Sequence, residues 1–147
     1  MRRLLTSTYG FESDCWVCEP SNPVGLRVPF HHDEEAHTVT ATLTLGEHHS
    51  GAPHTVHGGL LAALCDDAMA WTAIAEARRF ALTAETRLSY VAPVPVGEEL
   101  TVTARLIGRH GRQLWLMAEV RSGGAVCVRA ESRALATGDE LSVDGEK

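Results

Sequence analysis

The segment from Gly58 to about Ala77 constrains this chain more than any other. It holds Leu, Ala and Met, few β-branched residues and no proline, which suits a helix of about five turns. At about 100° per residue, Leu60, Leu61, Leu64, Ala68, Trp71 and Ala75 fall on one stripe. That stripe should rest on a sheet. The far side of a surface helix is normally charged. Here it carries Ala62, Met69 and Ala73 around Asp66, and Arg78 and Arg79 come only past the end. A helix apolar all round is buried on both sides. With one long helix in 147 residues, a second copy of the chain is the expected cover for the far face.

The flanking segments read as strands. Residues 37–45 (HTVTATLTL) alternate strictly, with Val39, Ala41, Leu43 and Leu45 on one face and threonines on the other. Residues 81–94, 98–108, 112–121 and 125–135 follow as four more, joined by short turns such as SGG at 122–124. Residues 25–30 (GLRVPF) suggest a short edge strand, and HHDEEAH at 31–37 reads as a polar turn. Strands, one helix, then a meander imply an α+β fold, with the helix laid on an antiparallel sheet of about five to six strands. A single domain over 1–147 is expected, with an irregular segment at 1–23 and a loose acidic tail at 137–147.

The helix carries two carboxylates. Asp67 flanks the core stripe and reads as an ordinary solvent-facing acid. Asp66 lies on an otherwise apolar face, where desolvation would raise its pKa above the usual ~3.9. Two glycines stand at the helix start, in HGG at 57–59. Glycine lets a ligand approach the backbone, and the first N–H groups of a helix lack intrahelical partners. Such donors suit a carbonyl oxygen gaining negative charge. With Asp66 as base or nucleophile, the set points to acyl chemistry. No GxSxG, P-loop or GxGxxG motif offers another chemistry.

Bulk properties narrow the partners. The net charge of −6 argues against nucleic acid. From Arg78 to Arg133 there are nine Arg and no Lys against five acids, a local +4 that leaves −10 elsewhere. Arg forks suit phosphate oxygens, so a phosphate-bearing small molecule is a compatible ligand. No apolar run reads as a bilayer span and MRRLLTSTYG has no signal-peptide core, so a cytoplasmic location without membrane association is expected. Four cysteines include one CWVC, at Cys15 and Cys18, with no second pair to complete a zinc set. Reduced structural thiols, no metal and no cofactor are the expectation.

Three stretches in order resemble a known family. CWVCEPSNPVGLRVPF is similar to the C-x-x-C-G-x-x-N-P-x-G-L segment of one branch of hotdog-fold acyl-CoA thioesterases of the phenylacetyl-CoA type. HTVHGGLLAALCDDAM resembles that family's HGG-helix-Asp motif, and LTAETRLSYVAPVPVGEEL the strand after it. The likeness runs from about residue 15 to 135. It implies a hotdog fold, a central helix wrapped by the sheet, and homodimers or homotetramers with active sites at the subunit interface. It implies hydrolysis of an acyl-CoA thioester to free acid and CoA, with CoA as part of the substrate. A non-catalytic acyl-CoA-binding subunit and an acyl-thioester hydratase or dehydratase are the alternatives on the same fold.

By position, the resemblance implies that Gly58 donates its N–H to the thioester carbonyl and that Asp66 is the catalytic carboxylate. Thr83, from the other subunit, would help hold the water, and His57 would order the motif. Gly59 would line the substrate site. Ala62, Met69 and Ala70 would line the acyl pocket, and Arg87, Arg109 and Arg112 would meet the CoA phosphates. Many relatives carry Asn or Gln in the loop before HGG. Here that position is Gly51 or Ser50, so Ser50 is the polar candidate. Glu19 and His54 stand where glycines are common in the family.

Overall fold

A computed structural model describes residues 2–9 and 13–141. The elements run β1 (Arg2–Leu4), α1 (Leu5–Thr8), β2 (His31–Asp33), β3 (Thr38–Thr44), α2 (Gly58–Ala77), β4 (Phe80–Tyr90), β5 (Glu99–His110), β6 (Gln113–Ser122) and β7 (Ala125–Thr137). One seven-stranded sheet has the order β1-β2-β3-β5-β6-β7-β4, and all its pairings are antiparallel. The five long strands are those the sequence reading expects, except that β4 stops at Tyr90 and does not run on to residue 94. The two beyond expectation, β1 and β2, have three residues each, too short for periodicity to register.

The strand expected at 25–30 does not form. That segment instead hangs its backbone on the CWVC loop, through Leu26 N–H to Trp16 O at 2.8 Å and Val28 N–H to Val17 O at 2.8 Å. Val28 and Phe30 are fully buried. The short strand lies in the polar run that follows, at His31–Asp33. Its polarity is tolerated because helix α2 supplies a partner: His32 Nε2 lies 2.7 Å from Glu76 Oε1, and His37 Nδ1 lies 3.1 Å from Glu76 Oε2. The N-terminal residues expected to be irregular include β1, which pairs with β2, and a buried Leu5 and Tyr9. Past β7, Gly138 O accepts from Arg79 Nη1 at 2.7 Å and Leu141 N–H donates to Arg78 O at 2.6 Å. The described part of the tail is therefore tied to the end of α2. Residues 142–147 lie outside the described residues.

Helix α2 packs against β3, β4, β5, β6 and β7. Leu60, Leu61, Leu64, Ala68, Trp71 and Ala75 are buried, as the stripe predicts. The far face is covered differently from expectation. Met69 is 2% and Ala73 0% exposed within one chain. The Met69 sulfur accepts from Ser132 Oγ of β7 at 3.2 Å. Strand β7 reaches that side of the helix through Ser132, as a twisted sheet wrapping a single helix allows. By length and composition α2 is apolar enough to cross a bilayer, contrary to the reading above, but the sheet encloses most of it.

Strand β4 closes one side of the sheet and has no further strand beyond it among the described residues. It is exposed along most of its length, with Leu82 63% exposed. Leu82 pairs across the sheet with Leu135, also exposed. A long edge strand bearing exposed apolar side chains is a surface that folded proteins ordinarily cover.

Candidate active site

Asp66 projects from the second turn-pair of α2 towards β4. Thr83 Oγ1 donates to Asp66 Oδ1 at 2.8 Å within the same chain. The resemblance placed Thr83 on the other subunit; the structure places it beside its own Asp66. The cause is local. β4 runs directly from the end of α2 and packs back along it, and a register shift between Thr83 and Glu85 marks a bulge. Bulges re-aim side chains and recur beside active sites. Thr83 sits in one row of the sheet with the inward-facing Ala134 and Leu114. Next to Asp66 on the helix, the Cys65 thiol is pushed up to about 12 by burial and by the Asp66 charge, so it is no nucleophile.

The helix start is equally specific. His57 is the N-cap, at φ −58° and ψ 130°. Its Nδ1 accepts from Gly59 N–H at 2.9 Å, which leaves the ring proton on Nε2, and its own N–H donates to His49 O at 2.9 Å. The Gly59 N–H is thus committed to the cap. The Gly58 N–H has no acceptor among the described residues. Each glycine is also demanded by a neighbour. A Cβ on Gly59 would stand 3.1 Å from the His57 ring, and one on Gly58 3.3 Å from Tyr90 Cε1. Tyr90 also donates its hydroxyl to Gly58 O at 2.8 Å. Tyr90 has no assigned role in the sequence reading, although it lies in the LTAETRLSYVAPVPVGEEL stretch quoted there.

A hollow of about 280 Å³ opens at this helix start, lined by Trp16, His48, His49, Ser50, His57 and Gly59. Ser50 lines the hollow and donates its hydroxyl to Glu47 O at 2.7 Å, so its oxygen can only accept. Gly51 has a reason to lack a side chain: a Cβ there would lie 3.1 Å from His57 Cα. The tight packing of this loop on His57 accounts for the missing Asn or Gln.

The other expected contacts are scattered. Ala62 is half-buried and Met69 lies in the core, bonded to Ser132 rather than facing a pocket. Ala70 lines a separate cavity of about 210 Å³ together with Asp67, Trp71 and Ile74. Arg87 pairs opposite Glu131 on the sheet face turned away from Thr83. Arg109 lies in the Leu114–Ala134–Thr83 row, three strand spacings or about 14 Å from Thr83. Arg112 is exposed at the β5–β6 turn. Within one chain, none of the three arginines is brought together with Asp66 by these pairings.

Asp67 is not the ordinary surface acid expected. The CWVC loop folds over it. Cys15 Sγ donates to its Oδ1 at 3.4 Å, and its Oδ2 is buried with no hydrogen-bond partner among the described residues. Burial raises its pKa from the ordinary carboxylate value. A helical wheel cannot reveal a cover that comes from a loop 52 residues away.

Spacing along α2 carries a further consequence. Gly58 and Asp66 are eight residues apart on one helix. At 1.5 Å per residue that is about 12 Å along the axis. One thioester carbonyl cannot reach both groups of the same chain.

Residues 54–129 match the Thioesterase superfamily. Acyl-coenzyme A thioesterase THEM4 of Mus musculus is 31% identical over 90 residues, 61% of this chain and 38% of that protein. A crystal structure of a thioesterase superfamily protein superimposes with a TM-score of 0.75 at 30% identity, over 84% of this chain and 60% of the other. The chain therefore spans less than two thirds of the length of either. Two structures at 18% identity share the fold: a Streptococcus mutans protein bound to acetyl CoA (TM-score 0.67, 71% of this chain and 84% of that one) and the E. coli PaaI protein from the phenylacetic acid degradation operon (TM-score 0.66, 72% and 77%).

Proposed function

Because the chain belongs to the thioesterase superfamily, we propose that it hydrolyses acyl-CoA thioesters at a site that two copies of the chain build together. The observation that carries this reading is the pairing of Asp66 with Thr83, about 12 Å along α2 from the unpartnered Gly58 N–H. An antiparallel pair of protomers brings the helix start of one to Asp66 of the other. The partner thus supplies Gly58, where the sequence reading had it supply Thr83. The exposed β4 edge is the surface such pairing would cover, as a dimer or within a tetramer.

The chemistry follows from the groups. Thr83 occupies Asp66 Oδ1 and leaves Oδ2 for a water molecule. Water attacks the thioester carbon while Asp66 takes its proton, and the developing oxyanion meets the partner's Gly58 N–H. Collapse breaks the C–S bond, and the CoA thiolate recovers a proton from the Asp66 acid. Direct attack by Asp66, giving a mixed anhydride that water opens, uses the same atoms. Arg109 and Arg112 are the cations we assign to the CoA phosphates, at a reach suited to a long ligand. The hydratase alternative needs a histidine base; His57 Nδ1 is committed to the cap, which leaves that role to His48 or His49 at the hollow.

The test is a panel of acyl-CoAs assayed by thiol release, with wild type beside Asp66→Asn. Wild type should turn over one or more members, and the variant should lose at least about 100-fold in kcat with its fold intact. Equal activity of the two proteins contradicts the mechanism. Binding of CoA esters without turnover by wild type selects the acyl-CoA-binding reading instead.

A further inference from the structure

The CWVC loop takes no part in the proposed hydrolysis. Cys15 Sγ, Cys18 Sγ and an Asp67 carboxylate oxygen all lie within 4.8 Å of one another. Both cysteines are free thiols. We propose that these three residues form a binding site for a thiophilic divalent cation of the Zn²⁺ class.

Four observations converge. A tetrahedral ion with metal–sulfur bonds of about 2.3 Å and a metal–oxygen bond of about 2.0 Å holds its ligand atoms roughly 3.5–3.8 Å apart. A cluster spanning at most 4.8 Å, with Cys15 Sγ already 3.4 Å from Asp67 Oδ1, needs only side-chain adjustment to reach that arrangement. The donor set is also the right kind: two cysteines with two residues between them, the C-x-x-C spacing zinc sites use, plus one carboxylate. Asp67 Oδ2 is a buried acceptor with no hydrogen-bond donor of its own among the described residues, although Cys15, Cys18 and Trp71 all face the carboxylate, and such orphans ordinarily have a partner. Finally, the cluster borders the cavity of about 210 Å³ that Thr6, Tyr9, Ser13 and Glu19 also line, which has room for a water as fourth ligand.

On binding, each thiol releases its proton to solvent and its sulfur lone pair goes to the metal; nothing is oxidised or reduced. A Cys15–Cys18 disulfide would need an external oxidant and would leave Asp67 Oδ2 unpaired. The cation satisfies that oxygen. It also pins the N-terminal loop to α2 one residue from Asp66, making it a structural clamp on the helix that carries the catalytic carboxylate.

The experiment uses the full chain, reduced, chelator-stripped and titrated with Co²⁺, then Zn²⁺. The wild type should take up about one Co²⁺ per chain, with thiolate-to-cobalt charge-transfer absorption and the visible bands of a tetrahedral ion, and Zn²⁺ should displace it. Zn²⁺ should also raise Tm. Cys15→Ser, at a half-exposed position, should weaken the charge-transfer band and lower affinity. Asp67→Asn should cost at least about tenfold in Co²⁺ affinity, with both folds checked by circular dichroism. A wild type with no charge-transfer band overturns the proposal. So does a band unchanged in both variants, or a native chain whose mass shows Cys15 and Cys18 joined by loss of two hydrogens. None of these readouts depends on hydrolysis, so failure here leaves the thioesterase reading standing.

Discussion

Asp66 and Asp67 are neighbours on one helix in different surroundings, and each responds to its own. Asp66 holds a hydroxyl from β4 at 2.8 Å. Removing that hydroxyl in Thr83→Val leaves the carboxylate free to rotate, at the cost of roughly one hydrogen bond. We expect kcat to fall by about threefold to tenfold, and Thr83→Ser to restore it, as steady-state kinetics would read. For Asp67, burial raises the folded pKa, so the folded state resists ionisation. The sign follows: in chelator-stripped protein this group costs no stability below its unfolded pKa. Stability falls as pH rises from there through the folded pKa, and the loss then stays constant. Asp67→Asn should therefore raise Tm of the stripped protein at pH 7. That gain should shrink as the pH approaches the ordinary carboxylate range. A pH-independent difference would remove burial of charge as its cause.

The elements show which levels of structure a sequence exposes. Strands β3 to β7 and helix α2 were legible because each repeats its pattern over seven or more residues. β1 and β2 were not, because three residues carry no period and the polar His32 of β2 is satisfied by Glu76 on another element. The HGG start, Asp66 and Thr83 were legible as a set. The division of labour between the glycines was not, since it depends on where the His57 ring points. That ring is a cap, and His57→Ala should cost about 1 kcal/mol of stability, read as a Tm drop of a few degrees in thermal melts. His57→Asn, which keeps an acceptor at the N-cap, should recover most of it. No difference between the two variants would mean that the 2.9 Å bond to Gly59 contributes nothing.

At the scale of the whole molecule, Met69 and Ala73 are already buried within one chain, so the apolar far face of α2 does not by itself require a partner, although Ala62 and Asp66 stay partly exposed. Two other features do: the exposed β4 edge and the 12 Å between Gly58 and Asp66 along one helix. The central claim is that each site takes its oxyanion donor from one protomer and its carboxylate from the other. Gly58→Pro removes the N–H, and because its Cβ must displace the Tyr90 ring 3.3 Å away, the variant's fold and dimerisation are checked beside its activity. Proline is favoured at the first helical position, and His57 at φ −58° and ψ 130° already has the backbone that a following proline requires. Gly58→Pro and Asp66→Asn should each be inactive alone. Refolded together in equal amounts, they should regain about a quarter of wild-type thioesterase activity, because about half the dimers are mixed and each mixed dimer holds one intact site of two. Mixed dimers that form and remain as inactive as either parent would contradict the shared site.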